Sequence, residues 1–168
     1  MKILYVLRHA KSSWDNDALS DFERPLNDRG LRTAPFMGEV MTGRGYIPSI
    51  IISSPAMRAK TTAELVMKSG GFGSHIILDE RIYEASPNTL RTVVSEQDDS
   101  HPSAMVVGHN PGMEGFIRYL TGELEPMPTA ALAVIELAID SWSKISSDTG
   151  KLVELIRPKD ELKSHGAA

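Results

Sequence analysis

Ile3-Leu4-Tyr5-Val6-Leu7-Arg8-His9 opens the chain with five apolar residues that stop at an arginine and a histidine. A short apolar run of this length is typical of a buried strand. The sequence therefore places a guanidinium and an imidazole at the carboxyl end of that strand. In open α/β sheets, ligands bind in the crevice outside those ends, so this stretch predicts a site as well as a strand.

Two further segments repeat this arrangement. The apolar residues 50–52 lead through Ser53-Ser54-Pro55 to Arg58, and residues 104–108 form an apolar run that leads to His109. If these strands lie parallel in one sheet, their ends bring two arginines and two histidines together. Guanidinium groups bind phosphate oxygens in pairs of hydrogen bonds, so the pattern predicts a site for a phosphoryl group.

Length and composition indicate one globular domain over residues 1–158, followed by a flexible tail over residues 159–168. The 168 residues are 41% hydrophobic and include no cysteine, which excludes disulfides, thiolate metal sites and a cysteine nucleophile. We expect a cytoplasmic protein, because the chain has neither a signal peptide nor an apolar stretch long enough to span a membrane. The net charge of −4 argues against general binding to nucleic acid.

Short β-branched runs alternate with helical patterns, which is typical of an α/β fold. We predict strands at residues 2–7, 49–53, 75–78, 104–107, 132–137 and 152–156, and helices at residues 31–41, 56–68, 87–95 and 111–120. Pro35 falls inside the first helical pattern, so that helix begins late or is kinked there. Asp148-Thr149-Gly150 indicates a turn that joins the last two strands as a hairpin.

Residues 10–29 form a long polar loop with little periodicity. Such loops are usually functional or disordered, and we favour function because this one follows Arg8 and His9 directly. Trp14 either lines the pocket or anchors the loop to the core. The acidic residues of the loop predict a solvated segment rather than a metal site, because their spacing is irregular. They are Asp15, Asp17, Asp21, Glu23 and Asp28.

His9 is the candidate nucleophile. A neutral imidazole can attack phosphorus and so divide one difficult displacement into two easier ones. Arg8 and Arg58 would stabilise the charge on the phosphoryl oxygens in the transition state, and His109 would add a donor if it is protonated. Each residue also has a simpler interpretation: the arginines as surface charges, and His109 as a capping or exposed residue of a strand-to-helix turn.

Three segments together resemble the histidine phosphatase superfamily, also called the phosphoglycerate mutase-like superfamily. They are LRHAKS at residues 7–12, SSPAMRAKTTA at residues 53–63 and VGHNPG at residues 107–112. ERPLNDRG at residues 23–30 is similar to its SixA-type phosphohistidine phosphatase branch. The resemblance covers residues 2–158 and implies a three-layer α/β sandwich, with a central, mostly parallel sheet, helices on both faces and a C-terminal hairpin.

The resemblance also implies a role for each residue of the site. His9 would be the phosphorylated nucleophile, Arg8 and Arg58 phosphate ligands, and His109 the second histidine of the pocket. Arg24 would reach the pocket from the loop after the first strand and bind phosphate. Its simpler interpretation is a surface charge.

The general acid is the least defined part of the expected site. Larger members of the superfamily use a carboxylate after the third strand. Glu80 matches that segment, and Glu84 is a substitute; either could instead be a solvated loop acid. An alkyl phosphate needs proton donation to its poor leaving group. Phosphohistidine needs less help, because the unperturbed pKa of imidazole is about 6.5.

The resemblance implies a metal-independent phosphatase that needs no cofactor. Its expected substrate is phosphohistidine on a signalling or phosphotransfer protein. The first alternative is a phosphatase of a small phosphorylated metabolite, that is, a small phosphate ester. The second is a phosphate-binding module that has lost turnover. No nucleic acid and no membrane is expected as a partner.

Overall fold

The computed structural model describes residues 1–164. Its strands are β1 (Lys2–Arg8), β2 (Ile50–Ser53), β3 (His75–Leu78), β4 (Ser103–Gly108), β5 (Leu132–Leu137) and β6 (Gly150–Ile156). Its α-helices are α1 (Asp28–Gly43), α2 (Met57–Gly70), α3 (Pro87–Ser95), α4 (Gly112–Thr121) and α5 (Pro158–Ser164). Three short 3-10 helices lie at Asp21–Glu23, Glu80–Ile82 and Trp142–Lys144.

The strands form one sheet in the order β3-β2-β4-β1-β5-β6. The pairs β3-β2, β2-β4 and β4-β1 are parallel. Strand β5 is antiparallel to both of its neighbours, β1 and β6. The predicted mostly parallel sheet with a C-terminal hairpin is therefore confirmed, although the connection from β5 to β6 is long enough to include the 3-10 helix at Trp142–Lys144.

Alternate side chains of each strand pack on opposite faces of the sheet. Leu4 and Val6 belong to the buried cluster that includes residues of α3 and α4. Tyr5 and Leu7 belong to the cluster that includes residues of α1 and α2. Because strand side chains alternate in direction, this pattern places helices on both faces and confirms the three-layer sandwich.

Helix α1 begins earlier than the sequence analysis expected. The side chain of Asn27 accepts a hydrogen bond from the Gly30 N–H at 2.9 Å and caps the helix at Asp28. The helix continues through Pro35 to Gly43. The expectation of a late start is therefore wrong, because the cap and the buried face of the helix outweigh the hydrogen bond that Pro35 cannot donate.

Helix α5 lies where the sequence analysis expected a flexible tail. Glu161 accepts a hydrogen bond from Arg44 Nη2 at 2.7 Å, which ties α5 to the end of α1. Residues 159–164 of the expected tail therefore belong to a helix, and residues 165–168 lie outside the described part of the chain. Among the described residues, no helix combines the length and apolar character that a membrane span requires.

Gly30 lies where α1 meets the loop that follows β1. A Cβ atom at this position would collide with the backbone of Lys11. We therefore expect Gly30→Ala to lower the free energy of unfolding by about 1–3 kcal/mol, the usual cost of overpacking. Gly43→Ala on the same helix is the matched control, because its new Cβ meets no described atom within 4 Å apart from the neighbouring backbone of its own helix. Urea denaturation measures both variants, and equal stabilities would contradict the steric argument.

Candidate active site

The carboxyl ends of β2, β4 and β1 meet at one edge of the sheet. Backbone hydrogen bonds fix this meeting, because the His9 N–H donates to Gly108 O and the Ser54 N–H donates to Val107 O, both at 3.0 Å. Helices α1 and α2 cover one face of the sheet, and α3 and α4 cover the other. The edge is therefore a topological switch point, where open α/β sheets bind ligands.

A cavity of about 250 Å³ opens at this edge. It brings together the predicted nucleophile and the four residues that were predicted to bind phosphate, including the one from the loop after β1. The residues that line it are Arg8, His9, Lys11, Ser12, Trp14, Arg24, Arg58, His109, Asn110 and Thr129. The structure thus brings the five predicted side chains Arg8, His9, Arg24, Arg58 and His109 together, and their roles stay a proposal.

His9 is held with one ring nitrogen free. Its Nδ1 lies 2.7 Å from Ala10 O, and since a carbonyl oxygen only accepts, Nδ1 carries the proton and Nε2 keeps a lone pair. The Ala10 N–H in turn donates to Thr62 Oγ1 at 3.0 Å. Burial lowers the pKa of His9 to about 4, and the charges of Arg58 and Arg8 act in the same direction. At neutral pH the imidazole is therefore neutral and keeps the lone pair on Nε2.

His109 faces His9 across the cavity, with 5.2 Å between the ring centroids. Its Nε2 lies 2.8 Å from Ser54 Oγ, and its Nδ1 is a buried atom without a partner among the described residues. Burial lowers the pKa of His109 to about 3, with His9 and Arg58 contributing. The donor role that depended on protonation is therefore not available at neutral pH, because this imidazole is neutral.

Arg8 contributes a second buried nitrogen without a partner. Its Nη1 donates to Met127 O at 3.0 Å, while its Nε is buried and makes no hydrogen bond to the described residues. A buried polar group left unpaired costs about 1–3 kcal/mol. An oxyanion that bonds Arg8 Nε and His109 Nδ1 would remove that cost, so the cavity favours such a ligand.

Asp21 is a site residue that the sequence analysis placed in a solvated loop. Its carboxylate accepts hydrogen bonds from Tyr83 Oη at 2.6 Å, Arg24 Nη1 at 2.8 Å and Arg58 Nη2 at 3.0 Å. Its carbonyl oxygen accepts another from Arg58 Nη1 at 2.7 Å. The Tyr83 hydroxyl and the two arginines lower the pKa of Asp21 to about 2. The carboxylate is therefore a fixed anion that holds both guanidinium groups.

Arg24 reaches the cavity from the loop after β1, as the resemblance implied. Its Nε donates to Ser13 O at 3.1 Å, and its Nη2 is hydrogen-bonded to Ser12 Oγ. The guanidinium lies 3.3 Å above the centre of the Trp14 ring, a cation–π contact. Trp14 lines the cavity. Because it is 72% exposed, it does not anchor the loop to the core.

The structure does not bring Glu80 to the cavity. Glu80 is exposed at the start of a 3-10 helix whose buried residue, Ile82, enters the core. A second cavity of about 770 Å³ adjoins the first and shares Arg58 and His109 with it, and Glu84 is the carboxylate among its lining residues. The turn after β3 thus places Glu84, and not Glu80, at the second cavity, and the choice of the general acid stays a proposal.

The chain is similar in sequence and in fold to proteins of one known family. The model of the histidine phosphatase superfamily (branch 1) matches residues 4–103. The structure of SixA from Agrobacterium tumefaciens is 29% identical, with a TM-score of 0.81 over 94% of this chain and 98% of that one. The protein histidine phosphatase SixA complexed with tungstate is 23% identical, with a TM-score of 0.75 over 95% and 99%. An uncharacterised chloroplast protein of Arabidopsis thaliana is 27% identical over 95% of this chain and 79% of its own length.

The low pKa values of His9 and His109 predict that both rings stay neutral from pH 7 down to about pH 5. A histidine in an unfolded chain titrates near pH 6.5, because its pKa is then about that of an exposed imidazole. In ¹⁵N NMR of the folded protein we expect constant ring-nitrogen shifts for both residues over this range. The urea-unfolded protein is the control, and all its imidazoles should titrate.

The lowered pKa values of His9 and His109 also affect the free energy of unfolding. Between about pH 6.5 and pH 4 the unfolded chain binds protons that the folded chain does not, so the free energy of unfolding should fall as the pH is lowered. Protonation of either pocket ring between pH 6 and pH 7 would contradict the burial argument.

Proposed function

The chain belongs to the histidine phosphatase superfamily, and from that membership we propose a metal-independent phosphatase that acts through phosphorylated His9. The observation that carries the proposal is the cavity itself. In it, the neutral imidazole of His9 stands beside three arginines and two buried nitrogens, Arg8 Nε and His109 Nδ1, that have no partner among the described residues. Fixed positive groups around a nucleophile are what a phosphoryl group needs.

The reaction takes two displacements at phosphorus. In the first, the lone pair of His9 Nε2 attacks phosphorus, the Nε2–P bond forms, and the bond to the leaving group breaks. The leaving group takes up a proton, which comes from water for an imidazole and from Glu84 for an alkoxide. The hydrogen bond from His9 Nδ1 to Ala10 O stabilises the positive charge on the ring. In the second, water attacks phosphorus, the Nε2–P bond breaks, and phosphate leaves with the water oxygen.

Arg8, Arg24 and Arg58 neutralise the phosphoryl oxygens during both steps. Asp21 holds Arg24 and Arg58 from the side of the loop through its carboxylate. Long side chains that are fixed before the substrate arrives lose less entropy on binding. Asp21 thus keeps the guanidinium groups in place while it remains an anion itself, and it is not suited to act as the general acid.

For the substrate, we propose phosphohistidine on a signalling or phosphotransfer protein. The leaving imidazole needs little acid catalysis, since its unperturbed pKa is about 6.5. This matches a pocket in which Glu84 lies at the rim of the adjoining cavity. The relative named protein histidine phosphatase SixA shares the fold over nearly its whole length and supports the same choice.

A phosphatase of a small phosphorylated metabolite is the second candidate. The observation that favours it is the second cavity, which is large enough for a small leaving group and includes a carboxylate at its rim. An alkoxide leaving group would require Glu84 to donate a proton. The third candidate, a phosphate-binding module without turnover, keeps the same pocket but releases no phosphate.

We expect His9→Ala to abolish phosphate release from a phosphohistidine-bearing protein while the circular dichroism spectrum stays that of the wild type. Arg58→Ala should lower kcat/KM by about 10²–10³-fold, as loss of a preorganised charge does. Arg32→Ala, an exposed arginine of α1, is the control and should have no effect. Near wild-type activity in His9→Ala would remove His9 as the nucleophile.

The same assay separates the three candidates when an alkyl phosphate is run in parallel, with a chelator present. Release from phosphohistidine alone supports the protein substrate. Preference for the alkyl phosphate supports the metabolite phosphatase. Binding of tungstate without release from either substrate supports the phosphate-binding module and contradicts the proposed enzyme.

Glu84→Gln tests the general acid. If Glu84 donates the proton, the variant should lose about 10²–10⁴-fold in kcat on an alkyl phosphate and much less on phosphohistidine. Glu80→Gln is the comparison, because Glu80 lies outside both cavities. A larger loss in Glu80→Gln, or equal losses of Glu84→Gln on both substrates, would contradict the assignment of Glu84.

A further inference from the structure

Ser54 is a fully buried residue directly after β2. Its hydroxyl oxygen forms two hydrogen bonds in the described part of the chain. One is to the backbone N–H of Ala56 at 3.2 Å, and the other is to His109 Nε2 at 2.8 Å. Neither the sequence analysis nor the proposed reaction gives Ser54 a role, although it lies within one of the recognisable motifs.

The direction of these hydrogen bonds follows from the chemistry of the partners. The Ala56 N–H can only donate, so Ser54 Oγ accepts in that bond. The single proton of the hydroxyl is then available for His109 Nε2, which accepts it only if Nε2 is unprotonated. A neutral imidazole carries one proton, so His109 carries it on Nδ1.

The opposite arrangement leaves two groups unsatisfied. If His109 Nε2 were protonated and donated to Ser54, the serine proton would have no acceptor among the described residues. His109 Nδ1 would then present a bare lone pair to the cavity. A buried donor without an acceptor is destabilising, and a lone pair facing phosphoryl oxygens is repulsive. Both effects favour the Nδ1–H form.

We propose that Ser54 is a positioning residue that fixes His109 as the neutral Nδ1–H tautomer, so that Nδ1 donates to a phosphoryl oxygen. His109 is only 7% exposed, and its Nδ1 has no partner among the described residues, so this proton is left for a ligand of the cavity that His109 lines. Arg8 Nε is the other unpartnered buried nitrogen of the pocket. The contact with phosphoryl oxygen rests on the proposed function, whereas the tautomer does not.

A neutral donor adds no further positive charge to this pocket. An imidazolium beside Arg8 and Arg58 would be disfavoured by repulsion, and burial disfavours it further. A neutral ring can still donate a hydrogen bond, but only if the correct nitrogen carries the proton. The hydrogen bond from Ser54 to Nε2 places the proton on Nδ1 and adds no charge.

Long-range ¹⁵N–¹H NMR reads the tautomer directly. The chain has five histidines, and the signals of His109 are assigned by their loss in His109→Gln. In the wild type at neutral pH we expect a pyridine-type shift for Nε2 and a pyrrole-type shift for Nδ1. In Ser54→Ala we expect both shifts to move toward the other tautomer. A protonated Nε2 in the wild type, or unchanged shifts in Ser54→Ala, would overturn the proposal.

Ser53→Ala is the matched control. Ser53 is equally buried, but its hydroxyl donates to Ser54 O at 2.9 Å and does not contact His109. We expect Ser53→Ala to leave the His109 shifts unchanged. If both variants moved the His109 shifts equally, the effect would be one of packing, and the role of Ser54 would be rejected.

The functional consequence is measured separately. Ser54→Ala should weaken tungstate binding and lower kcat/KM by roughly 10–100-fold, as loss of an orienting partner does. Unchanged tungstate affinity in a variant whose tautomer has shifted would overturn the contact between Nδ1 and the oxyanion. If the wild type releases no phosphate at all, the proposed function fails, while the NMR shifts still decide the tautomer.

Discussion

The parallel pairing of β2, β4 and β1 holds the ends of three distant chain segments against one another. Hydrogen bonds from His9 to Gly108 and from Ser54 to Val107 extend that pairing just beyond the strands. The position of every other group in the pocket depends on this registry. A slip of one residue in β1 would exchange the faces of its side chains, remove Leu4 and Val6 from their core cluster, and turn the His9 ring away from His109.

The second constraint is the positive charge of the pocket, which a nearby carboxylate balances in part. A protein with a net charge of −4 gathers three arginines at one cavity, two of them buried. Buried charges are stable only when they are paired. Asp21 pairs with Arg24 and Arg58 at the open side, while the two histidines stay neutral through burial. The positive charge of the pocket therefore comes from its three arginines and Lys11, and the neutral histidines add none.

Much of this arrangement was predictable from sequence, because strand ends are local features. An apolar run that stops at Arg8-His9 or Gly108-His109 marks its own end, and parallel strands bring those ends together. Asp21 was missed because the partners that define it lie far along the chain at Arg58 and Tyr83. The sequence offered one signal for Asp21: it lies three residues before Arg24, a spacing at which the two side chains can pair on one helical turn.

The remaining differences have similar physical causes. Glu80 and Glu84 cannot be distinguished by residue type, since the path of the turn after β3 decides which one reaches the rim. Helix α5 depends on the contact between Arg44 and Glu161 across more than a hundred residues. Contacts of that kind depend on the whole fold, and no local pattern indicates them.

The proposed reaction requires a nucleophile and a donor of the same residue type in one pocket, and two neutral histidines can fill both roles. Two imidazoles 5.2 Å apart would have the same properties in water, so their neighbours must make them different. A carbonyl acceptor at Ala10 places the proton of His9 on Nδ1 and frees Nε2 for attack. At His109 the hydroxyl of Ser54 also places the proton on Nδ1, but there Nδ1 is the atom without a partner and Nε2 is the atom that is held. The same tautomer therefore directs a lone pair into the cavity from one ring and a proton from the other.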